Sequence, residues 1–72
     1  MSQTLQTALT NAGQRLSGAG IEDSRREARI LLAFVLGIDA LQVSLRLEET
    51  LTAEHSAAFE AALKSRIAYV PM

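Results

Sequence analysis

Residues 21–37 constrain this chain more than any other stretch. They read Ile21-Glu22-Asp23-Ser24-Arg25-Arg26-Glu27-Ala28-Arg29-Ile30-Leu31-Leu32-Ala33-Phe34-Val35-Leu36-Gly37. The apolar run from Ile30 to Leu36 is far short of the roughly 20 residues that span a bilayer. At helical spacing Ala28, Leu31, Leu32 and Val35 share one face, and Ile30 and Phe34 lie well round from them. Arg26, Arg29 and Ala33 are left as a narrow exposed strip. A helix apolar over most of its girth must be packed on several sides, so the pattern predicts a central helix over 24–36. Ser24 followed by Glu27 has the form of a capping box. Gly37 closes the helix, because glycine enters the left-handed region at little cost.

A chain of 72 residues holds one domain at most, and at that size folding buries only roughly 60% of the unfolded surface. Its core has to be aliphatic, since Phe34, Phe59 and Tyr69 are the only aromatic residues. There is no cysteine, hence no disulfide and no thiolate metal site. Seven basic and eight acidic residues nearly cancel, unlike the basic footprint of a nucleic-acid binder. The start, Met1-Ser2-Gln3-Thr4, has no charged region leading into a long apolar one, so no signal peptide is read and the cytoplasm is the expected location.

Leu5, Ala8, Leu9, Ala12 and Leu16 form an amphipathic stripe over 3–17, capped by Ser2 or Thr4. Gly13 within it is either a point of close helix packing or a tolerated surface glycine. Ser17-Gly18-Ala19-Gly20 is a helix stop and turn. Residues 41–47 alternate apolar and polar, the period of a strand, but no other segment could pair with one. We therefore expect a short helix at 40–46, buried on two sides and opened by Asp39 with Gln42. Thr52 caps a last helix at 53–68, whose apolar face is Phe59, Ala62, Leu63, Ile67 and Val70. Glu60 and Lys64 are spaced as an ion pair on that helix, and Arg66 should lay its stem on the core with its head in water. Ala57, Ala58, Ala61 and Ala68 face outward. Pro71 bars the helix from continuing. The fold expected is all-α, a small orthogonal or irregular bundle of four to five helices. The ending at Met72, just past Pro71, reads as a cut within a longer sequence.

No nucleophile–base pair is visible, and one histidine makes no metal site. No strand–glycine loop–helix could hold a nucleotide or a methyl donor. The expected catalytic, cofactor-binding and metal residues within this chain are therefore none.

Several segments together resemble the N-terminal domain of the HemK/PrmC family, the protein-(glutamine-N5) methyltransferases that act on peptide-chain release factors. Ala19-Gly20-Ile21-Glu22, then Ser24-Arg25-Arg26-Glu27-Ala28 and Ile30-Leu31-Leu32-Ala33-Phe34-Val35-Leu36-Gly37, are similar to the family's A-G-I-E/D-S-P-R-x-D-A-E-x-L-L-x-x-V-L-G. Arg46 with Glu48-Glu49 resembles its R-x-D/E-E, and Leu51-Thr52-Ala53-Glu54 its L-S/T-x-E. Val70-Pro71 stands where the family has E-P. The proline after the family's serine is missing, and Arg29 stands where an acidic residue is usual. The family's N-P-P-Y signature is not in this chain.

The resemblance implies a helical domain over residues 1–69 that recognises the protein substrate, with 70–72 opening the linker to a catalytic domain. That other domain would bind S-adenosylmethionine and methylate the glutamine of the release factor's Gly-Gly-Gln motif. The implied partners are the release factor and the protein's own methyltransferase domain, with no nucleic acid, no membrane and a monomeric state. Arg25, Arg26 and Arg29 are the candidate residues for docking the release factor; the other reading of them is a solvated edge with Arg25 or Arg26 paired to Glu22 or Asp23. The three arginines crowd positive charge at a helix N-terminus, where the dipole opposes it, and guanidinium groups suit carboxylates on a protein partner. The alternative reading is a free-standing helical adaptor or dimerisation module using the alanine face of the last helix.

Overall fold

The computed structural model describes residues 3–68. They form four helices in the order α1 (Leu5–Gly18), α2 (Ser24–Leu36), α3 (Ala40–Leu45) and α4 (Ala53–Ala68). Every bound lies within two residues of its expected place. No strand occurs among the described residues, where the one extended pairing is an isolated bridge between Thr4 and Thr50. The segment at 41–47 is thus helical over most of its length despite its alternation.

The start of α1 is held at several points. Thr4 Oγ1 accepts from the Thr7 N–H at 3.2 Å. The Leu5 and Gln6 N–H groups, which a helix leaves without internal partners, donate to the Glu49 and Leu47 carbonyls at 3.0 Å each. In return the Leu51 N–H donates to the Gln3 carbonyl at 2.8 Å.

The ends of α1 and α2 use the same closure. Gly20 (φ 85°) and Gly37 (φ 71°) take the left-handed conformation. The N–H of the following isoleucine reaches back across the last turn, Ile21 to the Leu16 carbonyl and Ile38 to the Ala33 carbonyl, both at 3.0 Å. This is the Schellman arrangement. It folds Ile21 and Ile38 back against the core.

Helix α2 packs against each of the other three, as its sequence requires. Leu5, Ala8, Ala12 and Leu16 of α1 meet Ala28, Leu32 and Ala33 of α2 in the core. Val43, Leu51, Phe59 and Leu63 complete it. The packing is nevertheless one-sided. Ala33, expected in the exposed strip, is 6% exposed, whereas Ile30 and Phe34 are 48% and 77% exposed. The six residues of α3 offer too little surface to wrap the far side of α2. Nor is α3 buried on two sides. A 100° turn per residue sends the alternating apolar residues two ways: Val43 is buried, while Leu41 and Leu45 are 69% and 71% exposed.

Some expected local contacts do not form. Asp23 precedes α2 in the left-handed region (φ 52°, ψ 42°), which aspartate tolerates better than most residues. Ser24 is therefore already helical rather than the cap. The Glu27 carboxylate does not turn back to it but accepts from Arg66 Nε of α4 at 3.5 Å, so the Arg66 head is paired rather than free in water. Asp39 likewise gives α3 no side-chain cap. Glu60 pairs with Arg15 of α1 at 2.6 Å, not with Lys64. By contrast Thr52 Oγ1 accepts from the His55 N–H at 3.2 Å. Phe59 and Leu63 of the expected α4 face are buried, with Ala62 and Ile67 half-buried. Val70, the stop at Pro71 and the 70–72 linker lie outside the described residues.

Candidate functional site

Three of the chain's six arginines have a carboxylate partner: Arg15 with Glu60, Arg66 with Glu27, and Arg46 with Glu49 at 3.9 Å. Arg25, Arg26 and Arg29 have none among the described residues, although Glu22 and Asp23 stand just before them. All three are exposed on the first half of α2.

The fold divides this trio. Arg25 and Arg29, one helical turn apart, line a groove of about 230 Å³. Gln6, Leu9 and Thr10 of α1 form its second wall, and Ser44 of α3 with Leu47 its third. Arg26 is not part of this lining. It lies a residue further round α2, in line with Ile30 and Phe34 at four-residue spacing. The guanidinium strip read from the sequence is therefore two surfaces, a polar groove with leucine in its walls and an outer stripe that runs from charge into apolar side chains.

Gly13 helps to place Arg25. It is buried on α1, and a Cβ built there would stand 3.7 Å from Arg25 Cγ. The arginine stem thus lies against α1 where α1 is thinnest. Gln6, Thr10 and Ser44 carried no signal in the sequence, since they come from two different helices and converge only on folding. The exposure of Phe34, Leu41 and Leu45 is not written in the pattern, because spacing alone does not say how many neighbours a helix has.

Gly18-Ala19-Gly20 ends a helix instead of opening one, and the Ala19 and Gly20 N–H groups are spent on the Arg15, Leu16 and Ser17 carbonyls. His55 is half-buried on α4, and no group of three metal-ligating side chains occurs among the described residues. No helix among them is long and apolar enough to cross a membrane.

Comparison with known proteins places these features in context. The family described as the PrmC N-terminal domain matches residues 7–72. A release factor glutamine methyltransferase from Cereibacter sphaeroides is 45% identical over 65 residues, 90% of this chain. A bifunctional methyltransferase from Rickettsia felis is 32% identical over 72 residues, the whole of this chain. The chain spans only 23% of the length of the first and 14% of the second. No solved structure matches it at a significant level.

Proposed function

Because the chain belongs to the PrmC N-terminal domain family, we propose that it is the substrate-recognition domain of a release-factor glutamine methyltransferase, acting in the cytoplasm and non-catalytic by itself. Residues 1–69 form the domain, and 70–72 begin its linker to a methyltransferase domain. The observation that carries this reading is the trio Arg25, Arg26 and Arg29, which has no carboxylate partner among the described residues. A folded domain with no use for them would be expected to pair or disperse such charge. Here it is held on the helix that packs against each of the other three, open to a partner. The chemistry, with S-adenosylmethionine as donor, belongs to the other domain, whose partner on this side is the release factor. The fragment is monomeric, and its own affinity is modest because a separated domain loses the rest of a two-part contact.

Two measurements test this. Reversing Arg25, Arg26 and Arg29 to glutamate in the full-length enzyme slows methylation of the intact release factor and leaves modification of a short peptide carrying the acceptor glutamine nearly unchanged. Equal rates on the intact factor before and after reversal would remove the docking role. Separately, calorimetry of the 72-residue chain with S-adenosylmethionine gives no saturable heat, and a saturable isotherm would place donor binding in the wrong domain.

A further inference from the structure

We propose that the groove between α1, α2 and α3 is a binding site for a glutamate side chain on an extended or helical segment of the protein partner, with Arg25 and Arg29 as its clamp. The inference rests on the recognition reading above and goes beyond it by naming the site and the side chain that it takes.

The size of the groove points first. At about 230 Å³ it falls below the roughly 300–1,000 Å³ of sites that enclose small molecules. It suits one side chain, or two, presented by a larger body. The lining points next. Two guanidinium groups one turn apart, with no carboxylate partner among the described residues, can each offer parallel N–H donors to one carboxylate, a geometry that ammonium groups do not match. The Gln6, Thr10 and Ser44 side chains add neutral hydrogen-bonding groups around that position. Leu9 and Leu47 add apolar wall, which favours a carboxylate carried on a methylene stem.

The groove is also held open in one shape. Gln6 and Leu47 belong to two different walls, and the Gln6 N–H donates to the Leu47 carbonyl at 3.0 Å. Arg25 is braced from below by α1 at Gly13. Walls tied together before binding cost less to order when a ligand arrives.

A polyanion is a poorer occupant. The whole chain carries a net charge of −1, and Glu48 and Glu49 follow directly after the groove residue Leu47. A nucleic acid needs a run of cations along its phosphates, whereas a single carboxylate needs only the clamp.

The test uses the isotopically labelled 72-residue chain and two short capped peptides, Ala-Glu-Leu-Glu-Ala and its counterpart with glutamine in place of glutamate. Nuclear magnetic resonance titration with the glutamate peptide should move the Arg25 and Arg29 Nε signals and the Thr10 and Ser44 amides saturably. The glutamine peptide should bind roughly tenfold more weakly, as a neutral partner forfeits the charge assistance. Arg25→Gln with Arg29→Gln should abolish the difference between the peptides while leaving the thermal melt in place. Equal binding of the two peptides, or shifts confined to another face such as the outer side of α4, overturns the proposal. The full-length enzyme with the same two substitutions separates this claim from the one it rests on. Discrimination between the peptides with unchanged methylation of the intact factor supports the groove and removes the recognition reading. Slowed methylation without peptide shifts in the groove does the reverse.

Discussion

The two sides of α2 were built from similar residues and have opposite fates. On one side Ala28, Leu32 and Ala33 are sealed beneath the other helices. On the other Ile30 and Phe34 stand in solvent, joined by Leu41 and Leu45 of α3. Hydrophobicity does not separate the two sets, since the outer one holds the larger side chains. What separates them is the supply of neighbours. Helices α1 and α4 are long enough to cover one side of α2, and the single short helix left over cannot cover the rest. In a domain of this size the number of helices, rather than the apolar content of any one, limits how much surface is buried.

Substitutions on either side can break that contrast. The largest effect is expected at Leu32, which is fully buried. Leu32→Ala should cost about 2–5 kcal/mol, against a total stability of about 5–15 kcal/mol for typical domains, and a urea titration would show the midpoint fall or the transition vanish. A smaller effect of opposite sign is expected where α1 meets α2. At Gly13 an added Cβ meets Arg25 Cγ at an ordinary contact distance, so Gly13→Ala should gain about 0.5–1 kcal/mol from helix propensity. A loss in the same titration would mean that the two helices lie closer than described. The smallest effect is expected at Phe34. Phe34→Ala should change stability by no more than about 0.5 kcal/mol, and a cost comparable to that of Leu32→Ala would show that the outer face is covered in solution.

Much of this molecule was legible in its sequence. The helix bounds followed from stripe spacing, from the caps at Thr4 and Thr52 and from the glycines at 20 and 37, all of which act within a turn or two of chain. Arg25, Arg26 and Arg29 could be singled out because they crowd three positive charges into five residues at the start of a helix. What failed to show was tertiary. Glu27 and Glu60 were assigned to local partners at i−3 and i+4, and the fold gave each to an arginine on another helix. A weak pairing along one helix yields easily to a better-placed one across the bundle. Ala33 was misplaced because a small side chain carries little pattern signal. The groove itself was unreadable, because its walls come from segments separated by tens of residues.

The backbone tie at the start of α1 has a consequence for motion. A helix end normally frays turn by turn, and its first amides exchange with solvent almost as freely as those of a loop. Here the Leu5 and Gln6 N–H groups are closed by carbonyls more than forty positions along the chain, and the Leu51 N–H is closed in return. Opening that end requires the 47–51 connection to leave with it. Fraying, ordinarily local and gradual, becomes at this corner a single concerted event, and protection against hydrogen exchange should extend to the first turn of α1.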